Sequence, residues 1–382
     1  MALAVLRTLA QDPSLLPRLR LPALLAPLVA RLERDGPPPE PAGDEAEEGL
    51  KEDCLSLLYA FAAHDSGAVP VLAKAGAGRG VVRCLVTAAA AAAGAREEKE
   101  TEGTEKGEAE AHFPPLVRQT CAALEALVAA EGRALSSAAA AAAAATASTK
   151  GSNKPPSSLV LLLDGPSLAA LTSLLATERR PALRLALLPL LATTLAQRRG
   201  VAAALPSFHQ RDKKTEGPLP ASFPASLRAA LLPWLHGSVR EAPRDQALAL
   251  AVHALGLWGQ TWVVEDKDEV GGDQDKPEEG GGGDASSSTV PKQRRMARGG
   301  TAGVLVSALA AEACMLADEL EGLVAALHDP ELRADANLQR RLERARRLLP
   351  VCLDGLDSVM RFLCGAGDGG GCGIFLLWDD CV

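Results

Sequence analysis

The residues best suited to catalysis or metal binding are few in this chain and lie far apart in the sequence. None of the six histidines stands in an HExxH motif or another metal-binding spacing; they are His64, His112, His209, His236, His253 and His328. The cysteines form no CxxC pair, and none lies at a zinc-site interval from a histidine; they are Cys54, Cys84, Cys121, Cys314, Cys352, Cys364, Cys372 and Cys381. We therefore expect no metal site and no cofactor.

Two other sequence patterns are candidates for a chemical role. The segment "GAGRG", Gly76 to Gly80, has the glycine content of a phosphate-binding loop, but no strand precedes it and no Lys-Ser/Thr pair follows it. The acidic residues Asp318, Glu319 and Glu321 indicate a solvated helix face, because a catalytic pair needs a cleft that perturbs its pKa. Since there is also no GxSxG motif, the sequence predicts that the protein is not an enzyme.

The aromatic residues suggest a binding role at one place. The chain has four tryptophans, and two of them, Trp258 and Trp262, end the segment "PRDQALALAVHALGLWGQTWVVE". We favour the interpretation that both rings close a gap in the core at the end of a helical repeat. The alternative is that one ring anchors a partner protein. Trp262 is then the better candidate, because it follows the break at Gly259.

Composition predicts an all-α protein. Hydrophobic residues make up 47% of the 382 residues, enough for a large core, while aromatics make up only 3%. Leucine and alanine dominate the apolar set, and both favour helices. Alternating runs rich in valine and isoleucine, which are typical of strands, are nearly absent.

Charge and cysteine usage limit the partners and the compartment. The net charge of −8 argues against nucleic acid, and the basic run Lys292 to Arg298 is interpreted as a solvated loop end. The absence of CxxC pairs and of a signal peptide predicts reduced thiols in the cytosol. No transmembrane segment is expected, because the most apolar run, Val81 to Ala95, is short and contains Arg83.

The order of helical and polar segments predicts a repeat architecture. Helix pairs recur at intervals of roughly 40 to 60 residues, which is typical of an irregular armadillo/HEAT-like α-solenoid; a compact helical bundle is the alternative. We expect one helical-repeat domain over residues 1–365 and an irregular tail over 366–382. Disordered inserts are expected near residues 35–49, 95–112, 146–158, 207–222 and 264–300.

Several helical segments resemble the neurochondrin family, in that family's order. Leu3 to Leu32 is similar to one of its repeats, and Asp53 to Leu85 ("DCLSLLYAFAAHDSGAVPVLAKAGAGRGVVRCL") to the next unit. "ALALAVHALGLWGQTWV", Ala247 to Val263, resembles a helix end of the family. Val304 to Gly322 resembles the following helix, and Val351 to Leu363 resembles its partner. By this comparison, family helices are expected to be missing before Met1 and after Leu363.

The resemblance implies a non-catalytic, cytoplasmic scaffold that modulates signalling. Animal members are linked to neurite outgrowth, to receptor tails and to restraint of a calcium/calmodulin-dependent kinase. Family members attach to membranes through lipidated cysteines, but the first cysteine here, Cys54, lies inside a predicted helix, so peripheral membrane association has no support in this sequence. The alternative function is a generic armadillo/HEAT-type adaptor or transport receptor, against which the lack of regular tryptophan spacing argues.

Overall fold

The computed structural model describes residues 2–34, 44–101, 114–147, 161–204, 223–236, 241–259, 262, 301–328 and 335–363. Within these ranges the regular structure consists of thirteen helices, and no residue is in a strand. The all-α prediction is therefore confirmed. None of the described helices is long and apolar enough to cross a membrane.

The helices are numbered in chain order. They are α1 (Ala2–Leu9), α2 (Leu16–Leu19), α3 (Pro22–Leu32), α4 (Asp44–His64), α5 (Val69–Lys74), α6 (Ala77–Thr101), α7 (Pro115–Ala147), α8 (Gly165–Thr177), α9 (Pro181–Ala204), α10 (Phe223–His236), α11 (Glu241–Trp258), α12 (Thr301–Leu327) and α13 (Ala336–Leu363). Prolines stand in the first turns of α8, α9, α10 and α11, as the sequence indicates, because a proline there forfeits no helical hydrogen bond.

Two predicted inserts are shorter than expected. Helix α4 begins at Asp44, inside the segment predicted to be disordered over 35–49. Helix α6 likewise runs to Thr101, into the insert predicted over 95–112, because Ala, Arg, Glu and Lys are all good helix formers. The insert predicted over 146–158 overlaps the last two residues of α7 and otherwise lies outside the described residues. The inserts predicted near 207–222 and 264–300 and the tail 366–382 lie wholly outside them.

The chain divides into two compact units, residues 1–257 and 258–382. In the first unit the helices pack in two rows. Row one contains α1, α4, α7 and α9, and each of these helices contacts the next in the row. Row two contains α3, α6, α8 and α10, which contact one another in the same way. Cross-row contacts join α3 to α4, α6 to α7 and α8 to α9. The helices of the two rows therefore alternate along the chain, and the short helices α2 and α5 belong to neither row.

The core of the first unit is almost entirely aliphatic. Its largest fully buried side chains are Phe61 and Phe223 together with leucines such as Leu25, Leu58 and Leu124. The C-terminal end of helix α11 packs within the first unit, where Leu257 contacts a buried cluster of Leu135, Leu161 and Val201. Leucine-to-leucine packing is therefore what holds the rows together.

The second unit contains the helix pair α12 and α13. Leu323, Leu338 and Leu342 form a buried cluster between them. The buried carboxylate of Glu312 accepts a hydrogen bond of 2.5 Å from Nη2 of Arg344, and Arg341 donates to Glu319 at 2.5 Å. These contacts fix the two helices against each other in a single alignment.

The "GAGRG" segment has a packing role. Gly76 has φ of 77°, a conformation that favours glycine, and it precedes α6. A Cβ atom on Gly78 would lie 1.9 Å from the carbonyl oxygen of Leu162, and one on Gly80 would lie 3.0 Å from Cγ1 of Val29. The glycines therefore let the first turn of α6 approach α3 on one side and the segment before α8 on the other.

We predict that Gly78→Ala destabilises the first unit by several kcal/mol, about 2–4, because the new methyl group meets a backbone oxygen that cannot move alone. The matched control is Gly94→Ala in the same helix, where a Cβ meets nothing within 4 Å. That change should stabilise the helix by about 0.5–1 kcal/mol. Urea unfolding followed by circular dichroism measures both. Equal midpoints for the two variants would refute the close-packing role of Gly78.

Candidate functional site

The described residues bring no catalytic or metal-binding cluster together. No group of three or more His, Cys, Asp or Glu side chains in the described ranges is arranged to hold a metal ion. His64, His236 and His328 are exposed, and His253 is half-buried in α11. His112 and His209 lie outside the described residues, as do the last three cysteines.

Three of the described cysteines are unsuited to act as nucleophiles at neutral pH, because burial raises their pKa. Burial raises the pKa of Cys54 and of Cys121 to about 11, and it also raises the pKa of Cys84. The reactive form of cysteine is the thiolate, so these three thiols are protonated at neutral pH. They behave as small apolar side chains within the packing of α4, α6 and α7.

The most concentrated polar chemistry is a buried cluster around Glu131 in α7. Its Oε2 accepts hydrogen bonds from the backbone amides of Leu162 at 2.8 Å and Leu163 at 3.0 Å. Nη2 of Arg198 in α9 lies 3.7 Å from Oε1 of Glu131 and donates a hydrogen bond to the carbonyl oxygen of Leu163. Glu131 is 1% exposed and Arg198 is 6% exposed. We call these residues the Glu131 clamp.

The electrostatics of the Glu131 clamp indicate a structural role. Burial raises the pKa of Glu131, and the effects of Arg198 and of the Leu163 and Leu162 amides act in the opposite direction. Because the pKa stays above its ordinary value, these partners offset only part of the desolvation of the carboxylate. Through the two hydrogen bonds to Oε2, Glu131 connects α7 to the segment before α8, and through the ion pair of Oε1 with Arg198 it connects α7 to α9.

That same segment is fixed at its other end by Asp164. Oδ1 of Asp164 accepts a hydrogen bond of 2.9 Å from the Ser167 amide and so caps α8. Oδ2 accepts a hydrogen bond of 2.8 Å from Nη2 of Arg79, the arginine of "GAGRG". Burial acts to raise the pKa of Asp164, but the hydrogen bonds from Ser167 and Arg79 outweigh it and lower the pKa.

The two tryptophans singled out in the sequence differ in exposure. Trp262 is 0% exposed and is the largest fully buried side chain of the described residues. Trp258, the last residue of α11, is half-buried. A partner that used Trp262 as an anchor would first have to displace the groups that cover it, whereas Trp258 keeps part of its ring accessible.

A different tryptophan lies beside an arginine that forms no ion pair with any described residue. The guanidinium carbon of Arg184, in the first turns of α9, is 4.6 Å from the ring centroid of Trp234 in α10. Trp234 is 8% exposed, and the next residue after Arg184, Leu185, is 41% exposed. Sequence reasoning did not find this pair, because its members lie on separate helices at no recognisable spacing. The one available signal was that Trp234 is one of only four tryptophans.

Comparison with known proteins gives no relative: no protein-family model, no curated protein and no solved structure matches the chain. The resemblance to the neurochondrin family therefore rests on the sequence segments alone.

We predict that Glu131→Ala destabilises the first unit by about 3–5 kcal/mol, because it leaves Arg198 buried without its carboxylate. The double variant Glu131→Ala/Arg198→Met should recover part of that loss, since it removes the uncompensated charge. A double-mutant cycle by urea unfolding measures the coupling. If Glu131→Ala lies within about 0.5 kcal/mol of the wild type, in the range of ordinary surface substitutions, the clamp is not structural.

We predict that Trp262→Ala lowers the unfolding free energy by about 3–5 kcal/mol, as expected for loss of a fully buried ring. Trp258→Ala, at a half-buried position, should cost about 1 kcal/mol. Differential scanning calorimetry of both variants tests this. An unchanged transition for Trp262→Ala would mean that the ring is not core and would return it to the candidates for partner binding.

Proposed function

We propose that the chain is a non-catalytic protein-interaction scaffold built as an armadillo/HEAT-like α-solenoid. The observation that carries this proposal is the packing order of the first unit. Helices of one row contact the next helix of that row, and the helices of the two rows alternate along the chain. Stacked helix pairs of this kind bury their faces only on their neighbours and leave extended surfaces for partner proteins.

The polar chemistry of the first unit supports a scaffold rather than an enzyme. Two of its acidic groups join helices: the buried Glu131 pairs with Arg198 and accepts hydrogen bonds from two backbone amides, and the half-buried Asp164 accepts hydrogen bonds from Arg79 and Ser167. A catalytic acid or base needs a free position beside a reacting group. Carboxylates that are bonded to neighbouring helices in this way hold those helices in place.

The sequence resemblance adds a more specific proposal. On that basis the protein is a cytoplasmic modulator of signalling of the neurochondrin type, and its partners are other proteins. The alternative, a generic armadillo/HEAT-type adaptor or transport receptor, uses the same stacked helices and differs in the partners that it recruits.

Affinity capture from native cytosol, with mass spectrometry of the bound proteins, tests the proposal. The matched control is Glu131→Ala, in which the first unit should be destabilised. We expect kinase or receptor-tail signalling proteins with the wild type and their loss with the variant. Transport cargo or nuclear-pore proteins would favour the adaptor. Recovery of chaperones alone, with both chains, would contradict the scaffold proposal.

A further inference from the structure

The contact between Arg184 and Trp234 leaves two hydrogen-bond donors without acceptors. The Nε atom of Arg184 and the Nε1 atom of Trp234 are both buried, and neither has a hydrogen-bond partner among the described residues. Among the described residues no carboxylate forms an ion pair with Arg184. Its guanidinium packs on the Trp234 ring, a contact that orients the cation but accepts none of its N–H bonds.

The neighbouring charges leave this corner of the molecule cationic. Between residues 178 and 184 there are three arginines and one glutamate. The glutamate, Glu178, is already bound by Arg180, which donates to it from Nε at 2.8 Å and from Nη2 at 2.7 Å. Arg180 also donates to the carbonyl oxygen of Ala89 at 3.0 Å. Glu178 is therefore not available to Arg184 or to the exposed Arg179.

The backbone adds to the positive potential at the same place. Helix α9 begins at Pro181, so the amide groups of Ala182 and Leu183 lie in its first turn, where no helical carbonyl is available to them. The N-terminus of a helix carries the positive end of its dipole and favours anions. Leu185 follows Arg184 directly and offers an exposed apolar contact beside the charge.

We propose that Arg184, Arg179 and Trp234 form a binding site for an acidic segment of a partner protein. Arg184 is half-buried, and no described residue accepts a hydrogen bond from its guanidinium, so a partner carboxylate can accept from the nitrogens other than the covered Nε. The planar fork of arginine suits a carboxylate in particular. Stacking on Trp234 holds the guanidinium in place before the partner arrives, which lowers the entropic cost of binding. The proposal rests on the scaffold function and names the chemistry of one partner surface.

The test measures binding of a fluorescein-labelled peptide of alternating glutamate and serine residues to the full chain by fluorescence anisotropy. A peptide with glutamine in place of glutamate serves as the uncharged probe. We expect the acidic peptide to bind and the glutamine peptide not to bind. Arg184→Gln should weaken binding about tenfold, the loss expected for a charge-assisted hydrogen bond. Arg184→Lys, which keeps the charge but loses the planar fork, should weaken it by a smaller factor.

Two further variants keep the test decisive. Arg179→Gln changes an exposed side chain and should weaken binding without affecting the fold, even if Arg184→Gln proves unstable. Arg34→Gln, an exposed arginine at the end of α3, removes the same charge elsewhere and should leave the affinity unchanged. Circular dichroism melts verify that each variant is folded.

Any of the following results would overturn the proposal: no binding of the acidic peptide, equal affinity for wild type, Arg184→Gln and Arg179→Gln, or an equal loss with Arg34→Gln. Tighter binding of a single-stranded oligonucleotide than of the acidic peptide would also overturn it. These failures differ from failure of the scaffold function, because a scaffold that uses another surface would still capture signalling proteins while ignoring the acidic peptide.

Discussion

The buried carboxylate of Glu131 is the interaction on which the packing of the first unit depends. Glu131 belongs to α7, is only 1% exposed, and lies against α9 and the segment before α8. It accepts hydrogen bonds from two backbone amides of that segment and pairs with Arg198 of α9. A leucine core is non-directional and tolerates several alignments of its helices. A buried ion that needs specific donors tolerates few, so the Glu131 clamp selects one alignment of α7, α8 and α9.

Small residues set the spacing that makes this arrangement work. Gly78 lets α6 approach the same segment that Glu131 holds, and Arg79 beside it reaches Asp164, the N-cap residue of α8. One short connection, residues 161–164, is thus fixed from α6, α7 and α9 together. Only 3% of the residues are aromatic, so the chain has few large side chains that could fix the position of this connection. Close backbone contact at Gly78 and the hydrogen bonds of Glu131 and Asp164 fix it instead.

Much of the fold could be predicted from the sequence, but its polar contacts could not. The periodicity of leucine and alanine, with prolines such as Pro181 at helix starts, indicates where the helices lie. The acid-rich residues before Glu48 indicate a loop, but α4 already begins at Asp44. Glu131 stands in an alanine-rich stretch that has the appearance of a solvated helix face, and its partners are remote in sequence. Arg184 and Trp234 are likewise remote from each other in sequence, and such a pair has no local pattern that could predict it. Trp258 and Trp262, by contrast, lie four residues apart and form a pattern that is visible in the sequence.

The most direct test of this account is native-state hydrogen exchange at the amides of Leu162 and Leu163. Neither residue belongs to a helix, and an ordinary surface connection would exchange quickly. Because both amides are bonded to the buried Glu131, we predict that they exchange as slowly as the core amides of α7 and α9. Exchange at the rate of an exposed loop would contradict the claim that the Glu131 clamp holds the rows of helices in their alignment.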